Sequence, residues 1–448
     1  MHPYIQDNIV AVATPPGTGA LAIVRLSGKN LAAMYKDFTR KSPKNRYALY
    51  SKIYHPNNKN ALLDEAIITY YKSPNSFTGE DMIEISCHGG GAVKKSIVGA
   101  AIEGGARIAG PGEFSLRSFL NGKMDLMQAE AVSALISSNG RLSSEISLEH
   151  LGGGASRTLK SLKLRVLDLL SIIENELNFS DDEIIPTKTS KILLEIKAIK
   201  AKILDLLSSS LIGKNIFDGI RVVICGKPNS GKSTLFNAVL GHNRTITAPT
   251  PGTTRDSIEA WFELEGIPVC LIDTAGVWDA ENELDTLGVD KTFFEVAHAD
   301  ICLVLDEIDP HKFYTDSFKQ TYQHHNIFIR SKSDLISSPS MASSQYVLIS
   351  SIKNTGISKL LTLLSTHIVD NFSYNTNVGV LITERQRGLL ERSLTHLDAS
   401  IGQIKSGDGM DIVASTLRGF ILSIKEIVGE IQNKEIIENI FNNFCVGK

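Results

Sequence analysis

Residues 221–241 read "RVVICGKPNSGKSTLFNAVLG", and the fold turns on them. The apolar run Val222–Cys225 reads as a short buried strand, and "TLFNAVLG" at 234–241 as the start of a helix. Between them, "GKPNSGKS" at 226–233 is a P-loop in the strand–loop–helix setting that the motif requires. Gly226 and Gly231 let backbone N–H groups wrap a phosphate. Lys232 is expected to reach the β- and γ-phosphates and the Ser233 hydroxyl to ligate Mg²⁺; Asn229, Ser230 and Thr234 complete the cradle.

Three further motifs follow in order. "PGTTRD" at 251–256 offers Thr254 as a second hydroxyl ligand for the metal. "DTAG" at 273–276 ends an apolar run, with Asp273 near Mg²⁺, the Gly276 amide at the γ-phosphate, and Thr274 and Ala275 between them. "SKSD" at 331–334 carries Lys332 and Asp334; the Asp334 carboxylate can accept from N1–H and the exocyclic amine of guanine, a donor pair adenine lacks. Together these motifs specify a GTPase. Val277 stands where Ras-like switches carry a water-orienting Gln, and no arginine finger stands nearby in the chain. A side-chain carbonyl at Asn229 can hold a monovalent cation beside the β/γ-phosphates. Potassium there would replace an arginine finger, whose worth is about 10³–10⁵ in rate, roughly 4–7 kcal/mol. The plainer reading makes Asn229 a loop hydrogen bonder.

Around this stretch the texture of the chain changes three times. Residues 1–120 mix short β-rich runs with glycine-rich turns, an α/β or α+β domain. From 121 to 212 apolar residues recur at helical spacing: Leu159, Leu162, Val166, Leu169, Ile173 and Leu177, then Ile192, Ile196, Ile199, Ile203 and Leu206. From 213 to 376 strands alternate with helices ("RVVICG", "PVCLIDTAG", "DICLVLD", "NIFIRSKSD", "YVLISS"), which predicts a parallel, doubly wound sheet. From 377 to 448 the helical spacing returns with Leu390, Leu394, Leu397, Ile401 and Ile404. The economical architecture is multidomain, α/β plus all-α, with the nucleotide domain inserted into a discontinuous helical domain.

At 448 residues, 42% apolar and 21% charged, this is the composition of a soluble globular protein. A net charge of −3 from 46 basic and 49 acidic residues advertises no nucleic-acid or membrane surface, so any RNA contact is local or shared with a partner. Five scattered cysteines suggest neither a disulfide framework nor zinc; "MHPYIQDNIVAVATPPG" lacks the basic flank and apolar stretch of a leader and no apolar run reaches membrane-spanning length, so a cytoplasmic location is expected. The closing "CVGK" fails as a prenylation box, because Gly447 and Lys448 occupy positions that call for other residues.

With these motifs placed, the chain resembles the MnmE (TrmE) family of tRNA modification GTPases. The likeness runs through "ATPPGTGALAIVRLSG", "SFTGEDMIEISCHGG", "PGEFSLRSFLNGKMDLMQAEAV", the GTPase motifs and the terminal "FCVGK". The resemblance implies an N-terminal domain that dimerises and binds 5-formyl- or 5,10-methylene-tetrahydrofolate. It places the folate on Arg25, Glu80, Lys123 and Lys448. It implies a homodimer whose G domains pair with GTP and potassium, the cation being held by Asn229, Ala248, Thr250 and Thr253, and Gly252 joining the nucleotide contacts. It also implies a hetero-oligomer with FAD-containing MnmG (GidA), which together build a carboxymethylaminomethyl or aminomethyl group on C5 of the wobble uridine of certain tRNAs, with glycine or ammonium as nitrogen source. The tail then reads as a free arm that delivers Cys445, a candidate catalytic or redox-active thiol, and Lys448 to the folate; a buried structural thiol after Phe444 is the other reading.

The sequence departs from the family at three places. In register, Asp285 stands where the family has a water-orienting glutamate, one methylene short, with Glu283 and Glu281 as substitutes if the loop shifts. Ser331 stands for the Asn of the guanine motif, and Ser350, Ser351 and Ile352 stand for Ser-Ala-Lys. Weak nucleotide binding and free exchange are expected. Two other functions fit parts of the chain: a ribosome-assembly GTPase switch, and a folate-dependent scaffold with an impaired GTPase.

Overall fold

The computed structural model describes residues 7–58, 60–138, 140–178, 189–242, 258–274, 292–318, 325–335, 346–372, 383–431 and 434–447. Two compact units emerge, one of residues 1–133, 150–200 and 388–448, the other of 134–149 and 201–387. The second is inserted in the chain of the first. No helix among the described residues is long and apolar enough to cross a membrane.

The first unit opens with β1 (Asn8–Val12), β2 (Leu21–Gly28), α1 (Leu31–Thr39), β3 (Ala48–Tyr54), β4 (Leu62–Tyr71), β5 (Asp81–His88), α2 (Gly91–Glu103), β6 (Ala106–Ile108) and α3 (Glu113–Leu120). The strands form one sheet in the order β3-β4-β5-β2-β1-β6, antiparallel except where β1 meets β6. Side chains alternate across a strand. Ala22, Val24 and Leu26 of β2 are therefore buried with Tyr35 and Phe38 of α1 and Ile97 of α2, in one core. Arg25 and its cross-strand neighbour Glu84 belong to the opposite face.

Helices follow: α4 (Leu126–Ser137), α5 (Arg141–Leu151), α6 (Gly154–Asn178) and α7 (Thr189–Asp218). Asp125 and Gln128 cap α4 reciprocally, the Gln128 N–H donating to Asp125 at 3.1 Å and the Asp125 N–H to the Gln128 side chain at 2.9 Å. The stripe read on α6 is buried from Leu159 to Ile173, against the helix Met410–Val428. Leu177 departs from it: near the end of the helix, it is 50% exposed. Ile192, Ile196, Ile199, Ile203 and Leu206 of α7 are buried as read. Helix α7 runs unbroken to Asp218, so no element ends between 212 and 213.

The second unit is built on β7 (Ile220–Gly226), α8 (Lys232–His242), β8 (Ile258–Leu264), β9 (Ile267–Asp273), β10 (Ile301–Asp306), β11 (His325–Arg330) and β12 (Val347–Leu348), in the sheet order β12-β11-β10-β7-β9-β8. Every residue of β9 and β10 is buried, as expected of strands covered on both faces. The sheet is parallel as read except at one edge, where β8 runs antiparallel to β9. The cause is a two-residue turn at Glu265 and Gly266 with φ of 53° and 82°, the geometry that folds a hairpin back on itself.

Candidate functional sites

In a doubly wound sheet, ligands bind beyond the carboxyl ends of the strands. Here Gly226 closes β7, Asp273 closes β9 and Asp306 closes β10, with β7 between the other two. The two P-loop glycines serve different ends. A Cβ on Gly226 would lie 2.5 Å from the Leu305 carbonyl oxygen, whereas Gly231 has open space but a φ of +96°. Asn229 also has positive φ, 60°, and its side chain is exposed. Helix α8 begins at Lys232, so its first N–H groups face the loop.

Lys232 is buried and donates from Nζ to the carbonyls of Gly226 at 3.1 Å and Lys227 at 2.8 Å. Burial lowers its pKa, against the pull of Asp273. Burial likewise raises the Asp273 pKa, opposed by a hydrogen bond from Ser233 and by the Lys232 charge. Among the described residues the Oδ1 of Asp273 is buried without a partner, and so is the Ser230 hydroxyl. An unsatisfied carboxylate oxygen beside the Ser233 hydroxyl suits a hard cation. Thr274 donates to the Ile224 carbonyl at 2.7 Å, tying the start of the switch to the P-loop strand.

Beyond β11, Asp334 lies in the 3₁₀ turn Ser333–Leu335, where the Ser350 hydroxyl, donating to it, lowers its pKa. These two are brought together. Ser331 is buried and its hydroxyl has no partner among the described residues. Lys332 pairs with Glu307 at 2.5 Å, Ser351 is half-buried, and Ile352 is 81% exposed. Thr234 on α8 is exposed. Sequence reading missed the Lys227–Asp306 ion pair at 2.9 Å, which links the P-loop to β10; its signal was an Asp closing an apolar strand. Ala248, Thr250, Gly252, Thr253, Thr254, Ala275, Gly276, Val277, Glu281, Glu283, Asp285 and Lys448 lie outside the described residues.

In the first unit, Arg25 donates to Glu84 at 2.8 and 2.9 Å, lies 5.6 Å from the Phe77 ring and 5.8 Å from the Phe114 ring, and reaches the Gly447 carbonyl at 3.5 Å. Glu80 accepts from the Ser27 hydroxyl at 2.7 Å and from Arg117 at 3.1 Å. Lys123 is exposed, donates to the Pro74 carbonyl at 3.0 Å and passes over Gly79. The tail is docked rather than free. Gly112 donates to the Cys445 carbonyl at 3.4 Å, Val446 bridges Pro111, and Phe441 and Phe444 are buried with Phe119 and Leu126. Because Phe444 takes the buried place, Cys445 turns outward and is exposed, which removes the structural-thiol reading.

A P-loop after β7, a buried Asp273 closing β9 and an aspartate, Asp334, just beyond β11 define a GTPase of the P-loop class. Residues 126–445 match the MnmE helical domain and residues 8–123 the GTP-binding protein TrmE N-terminus. The chain therefore belongs to the MnmE family. It is 35% identical to the tRNA modification GTPase MnmE of Aquifex aeolicus and 36% identical to that of Thermotoga maritima, each alignment covering 99% of this chain and 100% of the relative. Among solved structures, it is similar to a single-residue variant of Aquifex aeolicus Era bound to GDP.AlF4-, 20% identical, covering 39% of this chain and 66% of that one with a TM-score of 0.28.

Proposed function

We propose that this chain hydrolyses GTP to drive modification of tRNA, acting in the cytosol as a homodimer with FAD-containing MnmG on C5 of the wobble uridine. The observation that carries the reading is the docked tail: the chain brings Gly447 to Arg25, so the N-terminal sheet and the last residues form one site in a protein that also carries a P-loop. A ribosome-assembly switch would leave that site without a role.

In the nucleotide site, Lys232 would leave its two backbone carbonyls for the β- and γ-phosphates, and the amides opening α8 would meet the same oxygens. Ser233 and Thr254 would hold Mg²⁺, with the buried, unpartnered Asp273 oxygen behind them. Asn229 would hold K⁺ with Ala248, Thr250 and Thr253. The two cations supply charge neutralisation on the phosphates. Asp285 would orient the attacking water. In the first unit, Arg25 and Lys123 are cations suited to the carboxylates of a folate tail, and Glu80 is an acceptor suited to the pterin N–H groups, with Lys448 as a further cation. Bound there, tetrahydrofolate supplies the one-carbon unit. The exposed Cys445 thiol lies on the docked tail, open to reaction.

The test is GTP turnover by the full chain in potassium and in sodium at matched ionic strength, repeated with Asn229→Ala. Turnover accelerated by potassium, and lost on substitution, supports the cation site. Equal and negligible rates in both salts would overturn the reading of a self-sufficient GTPase in favour of a scaffold.

A further inference from the structure

We propose that Arg117 is a positioning residue which, together with Ser27, fixes the Glu80 carboxylate for a pair of N–H donors on the ligand's heterocycle. The assignment rests on the reading of Glu80 as the pterin acceptor and adds to it the groups that aim that acceptor.

Arg117 lies on α3, its side chain 3% exposed. It donates to the Asp7 carbonyl at 2.9 Å, to the Asp7 carboxylate at 2.6 Å, to Glu113 at 2.9 Å and to Glu80 at 3.1 Å. Arg107 also holds Asp7 and Glu113, both at 2.6 Å. Two guanidiniums thus face three carboxylates, and one negative charge is left over. Among the described residues Asp7 and Glu113 each have both arginines, whereas Glu80 has Arg117 alone, so the surplus belongs to Glu80.

The hydroxyls around Glu80 are oriented in one sense. Its backbone N–H donates to Thr78 Oγ1 at 3.2 Å, Thr78 and Ser27 hydroxyls lie 2.7 Å apart, and Ser27 donates to Glu80 Oε2 at 2.7 Å. Since an ionised carboxylate only accepts, Ser27 must give its proton to Glu80 and take one from Thr78. Both hydroxyls are fully buried, so water does not scramble the ring. Oε2 is therefore occupied, while among the described residues Oε1 has only the 3.3 Å contact with Arg117. A carboxylate offers about four lone-pair positions, and the spare ones lie on a side chain that is 18% exposed. That is an aimed acceptor with room for two adjacent donors.

The measurement is binding of 5-formyltetrahydrofolate and of its 2-desamino-2-methyl analogue to the full chain by titration calorimetry. Wild type is expected to prefer the intact pterin. Arg117→Met should cut that preference by about tenfold, the worth of one hydrogen bond to a charged group; Arg117→Lys should restore part of it, and Ser27→Ala should cut it several-fold. A merely structural loss would weaken both ligands alike and leave the ratio in place. An unchanged ratio in folded Arg117→Met overturns the assignment; if that variant does not fold, an unchanged ratio in Ser27→Ala does so. Absent folate binding by wild type, or a ratio unmoved by Glu80→Gln, would instead sink the folate reading beneath it.

Discussion

The backbone N–H of Gly112 donates to the carbonyl of Cys445, joining the loop before α3 to the tail. Gly112 has a φ of +60°, and a Cβ there would meet the Phe441 carbonyl oxygen at 2.5 Å. Gly112→Ala should therefore undock the tail at a cost of about 1–3 kcal/mol. Hydrogen exchange at residues 441–447 should rise; exchange as slow as wild type would mean that the loop yields instead.

Acidification should weaken the Glu113 network in a defined window. Burial alone would raise the Glu113 pKa, but donors from Arg107, the Gly110 amide and Arg117 win and bring it down to about 2. A depressed folded pKa gives stability that is present above the unfolded value, about 4.5, and fades as pH falls toward about 2. The shift corresponds to roughly 3 kcal/mol at most. The melting-temperature gap between wild type and Glu113→Gln should accordingly shrink from pH 5 to pH 3; a constant gap would count against the assignment.

Nucleotide affinity should respond at Ser331, whose buried hydroxyl has no partner among the described residues. Ser331→Asn extends the side chain toward the base and should tighten GDP binding by up to about tenfold, one neutral hydrogen bond. Wild-type affinity below the micromolar range, or no gain in the variant, would refute the idea that this position limits binding.

Water positioning gives a fourth test. On the proposed reading of Asp285 as the water-orienting group, Asp285→Glu adds the missing methylene. Because a displacement near 1 Å can cost about 100-fold, turnover should rise. Rates equal to or below wild type would assign the role elsewhere, to Glu281 or Glu283.

Much of this was legible in the residues because local chemistry dictates it. A P-loop needs its glycines, one for close approach at Gly226 and one for positive φ at Gly231, so spacing alone locates it. Apolar periodicity likewise located α6 and α7. What escaped was non-local. Arg117 resembles any helical arginine four residues after a glutamate, a spacing that flags an ion pair with Glu113 and nothing about Asp7 or Glu80. The docked tail escaped for the same reason, since its strand partner Pro111 is far away in sequence. The β8–β9 hairpin carries a local signal, the Glu265-Gly266 pair between two apolar runs, which is weaker than the long apolar strands around it.

The contact from Arg25 to Gly447 spans 422 residues of chain. Ribosomes add about 5–20 residues each second, so roughly 20 to 80 s separate the synthesis of its two ends. Strand β2 can pair with its neighbours early, yet this site stays half-built on the nascent chain until residue 447 has left the ribosome. The phosphate loop, made about midway, is complete well before. During its own synthesis the chain thus carries a complete phosphate loop before the contact between Arg25 and Gly447 can form.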